Sequence, residues 1–277
     1  MYAKKSLGQN FLKSDKAIRQ IVEASKLEKG ETVLEIGPGL GVLTRALLEQ
    51  GAHVIAVEKD DRLIITLHEM FHNEISSQKL TIIHADILDL VEKNTMNKDF
   101  AKLLGSKYKL IANIPYYITG EIIQRFHTVP NQPETMVLMV QKEVAQRIVG
   151  LPIPGVNKKN EQGKESILSI AVKMYGIPKI ISIVPRGAFS PAPNVDSAIL
   201  AIYDIKHFGK LEKEKEFFEI LHASFAHKRK YMLSNIKTLP NSLQDKVINV
   251  LNSYDFNEKV RAEDVSISIW NSLAEKL

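Results

Sequence analysis

From Glu31 onward, short runs of apolar and β-branched residues alternate with longer amphipathic segments. The apolar runs are nearly uninterrupted, which is typical of strands that helices cover on both faces of a parallel sheet. The intervening segments repeat apolar residues at three- and four-residue spacing, as amphipathic helices do. The alternation predicts an α/β fold with a mostly parallel sheet. The predicted strands are Thr32–Ile36, His53–Val57, Leu80–Ile83, Lys109–Ala112 and Met136–Val140.

Two later β runs, Lys179–Val184 and Ser197–Tyr203, are joined by a segment that contains three prolines. We expect them to pair with each other at the edge of the same sheet. After about Ile205 the β runs stop and the pattern becomes helical. This change predicts a domain that spans residues 1–205 and a small helical domain that spans residues 206–277.

The amino-acid composition excludes some kinds of functional site and favours others. The 277 residues carry a formal net charge of +5 with a pI near 9.1, and none of them is cysteine. A disulfide framework and a thiolate zinc site are therefore excluded, and we expect no metal site. The charge favours a polyanionic partner, although a merely basic solvated surface has the same composition. No apolar run is long enough to span a bilayer, so we expect a soluble, cytoplasmic protein without a targeting segment.

A glycine-rich turn follows the first predicted strand. Gly37, Gly39 and Gly41 lie between that strand and the next helix, where glycine allows positive φ angles and the close approach of a ligand. The spacing is one residue shorter than the dinucleotide fingerprint. Such a turn alone is weak evidence, because tight strand-to-helix turns also need glycine for structural reasons.

Acidic residues stand at the ends of the next two strands. Glu58 is placed to accept hydrogen bonds from both hydroxyls of a ribose, and Asp86 is placed to accept one from the amine of an adenine. Each of them alone could equally be a helix cap. Because the carboxyl ends of parallel strands line one crevice, together they predict a pocket for an adenosine.

Glu35-Ile36-Gly37-Pro38-Gly39, taken with Glu58 and Asp86, resembles the class I S-adenosylmethionine-dependent methyltransferases, which have a Rossmann-like sheet. A nicotinamide-dependent oxidoreductase is the less attractive alternative, because the glycine spacing departs from the dinucleotide rule. The fourth strand also ends in a motif that a dehydrogenase does not need.

That motif is Asn113-Ile114-Pro115-Tyr116. It resembles the signature of methyltransferases that act on exocyclic amino groups of nucleobases. An exocyclic amine is a weak nucleophile with two protons to donate, which the Asn113 side-chain oxygen and the Ile114 carbonyl could accept. Pro115 stiffens the turn, and Tyr116 would stack on the base. The alternative is an ordinary strand-to-helix turn with a buried tyrosine.

Further segments extend the resemblance to nearly the whole chain. They are Ser6–Leu12, Gln141–Ala145, Phe189–Ser197 and Arg261–Glu263, and they occur in order. They are similar to segments of the ribosomal RNA adenine N6-dimethyltransferase family, in its bacterial small-subunit (16S) branch. The resemblance implies dimethylation of N6 of two adjacent adenosines near the 3′ end of small-subunit ribosomal RNA, with a role in small-subunit biogenesis.

The resemblance also assigns roles to individual residues. The family's contacts to S-adenosylmethionine carry over to these positions: Asn10, Leu12, Gly37, Glu58, Asp86 and Asn113. Asn113, Pro115 and Tyr116 would form the catalytic motif, and Phe189 would be the second face of a sandwich around the target base. Without the resemblance, Phe189 would be a loop anchor and Asn10 a helix-start residue.

The implied partners are small-subunit ribosomal RNA and the pre-ribosomal small subunit, with the protein a monomer. Phe225–Tyr231 interleaves basic and aromatic residues, so Arg229 and Lys230 are candidate phosphate contacts. A solvated helix face would look the same. The stretch from Pro152 to Glu165 is longer and richer in lysine than the family's usual connection, which puts contacts through that loop in doubt.

Two alternatives stay open at this level. One is a methyltransferase of the same fold that modifies a single adenosine of large-subunit ribosomal RNA. The other is a non-catalytic RNA-binding protein of ribosome assembly that has retained the fold.

Overall fold

The fold was obtained as a computed structural model, which describes residues 4, 7–150, 164–209, 211–254 and 259–277. The strands in these ranges are β1 (Phe11–Leu12), β2 (Thr32–Ile36), β3 (His53–Glu58), β4 (Leu80–His84), β5 (Val91–Glu92), β6 (Thr95–Met96), β7 (Lys109–Ala112), β8 (Thr135–Gln141), β9 (Ile177–Val184), β10 (Phe189–Ser190) and β11 (Ser197–Tyr203). The helices are α1 (Asp15–Ser25), α2 (Val42–Glu49), α3 (Asp61–Met70), α4 (His72–Ser76), α5 (Ile87–Leu90), α6 (Lys98–Leu104), α7 (Thr119–Thr128), α8 (Lys142–Val149), α9 (Ile167–Tyr175), α10 (Leu211–Ser224), α11 (Met232–Asn235), α12 (Asn241–Asn252) and α13 (Ile267–Lys276).

A seven-stranded sheet with the order β4-β3-β2-β7-β8-β11-β9 organises the N-terminal part of the described chain. The strands from β4 to β8 pair in parallel, whereas β11 pairs antiparallel with both β8 and β9. The mostly parallel α/β sheet predicted from the alternation is therefore confirmed. The predicted pairing of the two late β runs is confirmed as well, with Ser197 opposite Val184.

The near-continuous apolar runs form strands that are buried on both faces. Every residue of β7 is buried, as are six of the seven residues of β8. Helix α1 begins at Ser14, whose side chain accepts a hydrogen bond from the Ala17 amide, and it buries Ile18 and Ile21 against the sheet. This packing fixes the sheet, and with it the strand ends that carry the candidate site.

The chain divides into two compact units. The first comprises Met1–Ala145 and Gly176–Lys206, and it contains the seven-stranded sheet. The second comprises Gln146–Tyr175 and His207–Leu277. The sequence-based division places residues 146–150 and 164–175 in the first domain, whereas the structure groups them with the C-terminal helices. The reason is local, because Ile170 of α9 belongs to the same apolar core as α10, α12 and α13.

The core of the second unit is aromatic. Phe217 of α10 is fully buried and packs edge-on against Trp270 of α13 at a centroid distance of 6.1 Å. Trp270 is 1% exposed. It therefore lies inside this core, where it packs the helices together.

In the parts of the chain that the structure describes, no helix is long and apolar enough to cross a membrane. Likewise, no cluster of three or more His, Asp or Glu side chains is placed to hold a metal ion within the described residues.

Candidate active site

A cavity of about 280 Å³ opens at the carboxyl ends of β2, β3, β4 and β7. Its wall includes eight of the residues singled out from the sequence, namely Asn10, Leu12, Gly37, Glu58, Asp86, Asn113, Pro115 and Tyr116. The common crevice expected from four consecutive strand ends is thus present. Its volume lies near the lower end of the range for small-molecule sites.

The glycines of the first turn differ in what surrounds them. All three have positive φ angles, +67° at Gly37, +59° at Gly39 and +74° at Gly41. A Cβ atom added to Gly37 would meet no atom within 4 Å, whereas one added to Gly41 would lie 2.5 Å from the ring of Phe71. Gly37 therefore leaves open space beside the cavity, while Gly41 is required for packing.

Glu58 ends β3 and is 6% exposed. Its Oε1 accepts hydrogen bonds from the Lys59 and Asp60 amides at 2.9 Å each, and its Oε2 accepts one from the Gly39 amide at 3.2 Å. Burial raises the pKa of Glu58, and these amides oppose the rise. A carboxylate has about four lone-pair positions, so three amides leave room for a ligand hydroxyl.

Asp86 follows β4, and its two carboxylate oxygens bind different partners. Its Oδ1 accepts a hydrogen bond from the Leu88 amide at 3.0 Å and caps α5, and its Oδ2 pairs with the Lys59 ammonium at 2.6 Å. Burial raises the pKa of Asp86, but Lys59 and the Leu88 amide outweigh this effect and lower it. An ionised carboxylate held in this way can still accept a hydrogen bond from an exocyclic amine.

Glu35 also lines the cavity and is 1% exposed. Within the described part of the chain, its Oε2 has no hydrogen-bond partner. The pKa of this carboxyl is raised to about 8, mainly by burial and also by the neighbouring Glu58, while contacts with Thr44 oppose the rise. An unpartnered buried oxygen on a cavity wall is a position that a polar ligand group can fill. The sequence analysis noted Glu35 in the glycine motif but gave it no role of its own.

The Asn113 motif is fixed by contacts to the N-terminal segment. The Asn113 Nδ2 donates to the Asn10 carbonyl at 3.2 Å. This bond orients the amide so that Oδ1 has no protein partner among the described residues. No backbone hydrogen bond in the described chain ends on the Ile114 carbonyl either. In the described chain, two neighbouring residues therefore each present a hydrogen-bond acceptor without a partner.

Tyr116 lies on the cavity wall and is half-buried. Its hydroxyl forms a 2.6 Å hydrogen bond with Ser197 Oγ, and burial raises the pKa of this phenol. Pro115 precedes it with φ −57° and ψ 134°, and Tyr116–Ile118 then forms a turn of 3₁₀ helix. The ring is thus anchored at its hydroxyl end and at its backbone.

Phe189 is 2% exposed and does not line the cavity. It lies in the two-residue strand β10, opposite Leu12 of β1, and its ring is part of the apolar core of the first unit. Stacking of Phe189 on a target base stays a prediction, and it requires this ring to leave the core. Tyr117, which the sequence analysis did not single out, lines the cavity and is 68% exposed.

Arg229 and Lys230 lie in the turn between α10 and α11 of the second unit, and both are exposed. The neighbouring residues 226–228 and Tyr231 are exposed too, so this segment is a solvent-facing turn and not a helix face. The lysine-rich stretch that begins at Pro152 lies outside the described residues up to position 163.

The amino-acid sequence matches a known protein family along the whole chain. A family model described as ribosomal RNA adenine dimethylase matches residues 1–277. The chain belongs to this family. Among its relatives, ribosomal RNA small subunit methyltransferase A of Dehalococcoides mccartyi is 38% identical, over 98% of this chain and 87% of that protein. The protein of the same name in Fusobacterium nucleatum is 36% identical, over 95% and 93% respectively.

Two solved structures of similar fold cover nearly the whole chain. The 23S rRNA methyltransferase ErmE aligns with a TM-score of 0.74 over 97% of this chain and 99% of its own, at 23% identity. This likeness shows the family's fold. A dimethyladenosine transferase from Plasmodium falciparum aligns with a TM-score of 0.73 and 25% identity over 95% of both chains. The Rossmann-like fold class predicted from the sequence is confirmed.

Proposed function

We propose that this protein transfers methyl groups from S-adenosylmethionine to N6 of two adjacent adenosines near the 3′ end of small-subunit ribosomal RNA. Membership of the ribosomal RNA adenine dimethylase family supports the reaction. Relatives named small subunit methyltransferase, which align along nearly the whole chain, support the choice of the small subunit over the large one.

One observation carries the proposal. Among the described residues, neither the Asn113 Oδ1 nor the Ile114 carbonyl has a protein partner, and both residues line the cavity together with the half-buried Tyr116. Two neighbouring acceptors match the two protons of an exocyclic amine, and an aromatic face matches the base that carries it. A nicotinamide-dependent oxidoreductase has no use for this arrangement.

Asn113 and Ile114 would orient the target amine for methyl transfer. In the first transfer both protons are held by acceptors, so the nitrogen lone pair points away from them, toward the methyl donor. In the second transfer the amine has one proton left, and one acceptor holds it. Tyr116 would hold the base in place because its hydroxyl bond to Ser197 fixes the ring. The methylated nitrogen readily loses a proton to solvent, so the chain needs no strong general base.

The residues of the cavity fit S-adenosylmethionine. When bound, this cofactor supplies an electrophilic methyl group on a sulfonium. Glu58 would accept a hydrogen bond from a ribose hydroxyl, Asp86 would accept one from the adenine amine, and Gly37 would let the cofactor approach the backbone. The N-terminal residues Asn10 and Leu12 would cover its methionine portion. Glu35, with its unpartnered Oε2, would face a polar group of the same ligand.

The unit that contains the seven-stranded sheet would carry the cofactor and the chemistry, and the second unit, which contains the C-terminal helices, would bind RNA. The exposed Arg229 and Lys230 would neutralise phosphates there. We place the enzyme in the cytoplasm, as a monomer that acts on the pre-ribosomal small subunit. The basic pI near 9.1 fits this partner.

The test is to incubate the protein with labelled S-adenosylmethionine and undermethylated small subunits, and then to map the modified adenosines by mass spectrometry. We expect two adjacent dimethylated adenosines near the 3′ end. Asn113→Ala should abolish transfer and leave RNA binding intact, whereas Asn249→Ala, an exposed asparagine of α12, should match the wild type.

The alternatives predict other outcomes when undermethylated large subunits are added to the incubation and when thermal unfolding is followed with each candidate cofactor. Label in the large subunit alone would identify the sister activity. If S-adenosylmethionine does not raise the melting temperature and no label is transferred, the protein is a non-catalytic assembly factor. A rise in melting temperature with a nicotinamide nucleotide in place of S-adenosylmethionine would support the oxidoreductase.

A further inference from the structure

Tyr117 is an exposed aromatic residue at the cavity of the candidate active site. At 68% exposure it exceeds every other large apolar side chain in the part of the chain that the structure describes. It nevertheless belongs to the cavity wall. Its hydroxyl makes no hydrogen bond to the described residues. A large aromatic surface left open at a binding site is a place where a partner can pack.

The position of this ring is fixed by the backbone around it. Tyr117 is the central residue of the 3₁₀ turn Tyr116–Ile118, which follows the rigid Pro115. The Gly8 backbone backs the ring so closely that a Cβ atom there would lie 3.2 Å from Tyr117 Cε1. Because the turn and Gly8 hold the ring before any ligand arrives, stacking on it costs little conformational entropy.

The neighbourhood of Tyr117 suits RNA. Lys59 lies close enough for the two side chains to interact electrostatically: its pKa is raised first by Asp86, with smaller contributions from Tyr117 and Asp89. Lys59 lines the same cavity as Tyr117, and its side chain is 56% exposed with its ammonium paired to Asp86. Bases that stack on aromatic rings next to cations are the usual arrangement in single-strand recognition.

We propose that Tyr117 is a second stacking platform, which holds the nucleotide next to the extruded adenosine while Tyr116 holds the adenosine itself. This inference rests on the proposed function, in which the substrate is a pair of adjacent adenosines. Consecutive nucleotides are covalently joined, so the neighbour of a base on Tyr116 must lie close to that residue. Tyr117 offers the open ring at that place, since the ring of Phe189 is buried in the core. Tyr117 is in this sense a positioning residue.

The alternative occupant of the ring is the adenine of the cofactor. Its expected contacts, however, are Glu58 and Asp86, whose exposed fractions are small, whereas most of the Tyr117 ring faces solvent. The experiment therefore measures RNA and cofactor separately.

The test compares Tyr117→Ala, Tyr117→Leu and Tyr117→Phe with the wild type on undermethylated small subunits. Loss of one base stack corresponds to about a 5- to 150-fold rise in KM for the subunits. We expect this rise for Tyr117→Ala and also for Tyr117→Leu, which keeps apolar bulk without a π face. Tyr117→Phe should stay within about twofold of the wild type, and the affinity for S-adenosylmethionine, measured by calorimetry, should be unchanged in all three.

Ile65→Ala is the matched control, because Ile65 of α3 is 64% exposed but does not line the cavity. It should leave KM unchanged. An unchanged KM in Tyr117→Ala, full rescue by leucine, or a loss of cofactor affinity would each overturn the proposal while the proposed function stands. If the wild type itself does not methylate the small-subunit adenosines, the proposed function fails, and this inference fails with it.

Discussion

Replacing Glu35 by glutamine tests whether the cavity wall holds a neutral carboxyl. Glu35 is 1% exposed, and burial raises its pKa to about 8 from the usual value of 4.5. Between these two pH values the folded protein holds a proton that the unfolded chain has released. The stability that Glu35 contributes is therefore fully present below pH 4.5 and is lost as the pH rises through about 8.

The size of this pH dependence follows from the single proton that Glu35 holds in the folded protein and releases on unfolding. The free energy of unfolding should fall by up to about 1.4 kcal/mol per pH unit within this window. Across the window from 4.5 to about 8 the loss amounts to roughly 4 kcal/mol. Glutamine keeps the shape of the side chain but does not titrate, so Glu35→Gln should escape the loss. Burial also raises the pKa of Glu58. Because Glu58 is present in both proteins, its contribution to the pH dependence largely cancels when their stabilities are compared.

The assay is guanidinium unfolding of the cofactor-free protein at several pH values from 5 to 8. The stability of Glu35→Gln relative to the wild type should increase steadily with pH. Glu49→Gln, at an exposed position of α2, is the matched control and should show no such trend. Parallel pH profiles for Glu35→Gln and the wild type would refute the neutral carboxyl.

Two further predictions follow from the described geometry. Gly41→Ala forces a Cβ atom against the Phe71 ring and should cost about 1–3 kcal/mol of stability, whereas Gly37→Ala should fold with a smaller loss but show less stabilisation by S-adenosylmethionine in thermal unfolding. If both variants lose stability equally, the distinction between the two glycines is wrong. Replacing Arg229 and Lys230 together by glutamine should lower the slope of log affinity for RNA against log salt by roughly 1–2 units. An unchanged slope would mean that neither residue contacts phosphate.

Most of the fold was predictable because the signals are local. Uninterrupted apolar runs such as that of β8 require burial on both faces, and this requirement already specifies a sheet covered by helices. The carboxyl ends of parallel strands share one edge, so Glu58, Asp86 and Asn113 could be placed around a common cavity before any coordinates were known. The short pair β5 and β6, with two residues in each strand, carries too little periodicity to be predicted.

The features that could not be predicted depend on contacts between distant parts of the chain. The burial of Phe189 comes from its pairing with Leu12, and the sequence does not show that these two short strands meet. The burial of Glu35 likewise depends on how α2, whose Thr44 contacts this side chain, packs on β2. Successive residues of a strand point to opposite faces of the sheet, so the face that a residue occupies can be predicted from the sequence. Its exposure, however, depends on which elements pack on that face.

Tyr116 and Tyr117 show the same limit at the candidate active site. They are identical and consecutive, so composition and spacing cannot distinguish them. The 3₁₀ turn separates their environments, because Tyr116 reaches Ser197 of β11 while Tyr117 packs on Gly8 and stays open to solvent. One ring is therefore anchored at its hydroxyl end, and the other presents a free face. If both act on RNA, Tyr116→Phe should loosen the target base by releasing its anchor, whereas the same change at Tyr117 removes no contact that the described structure contains.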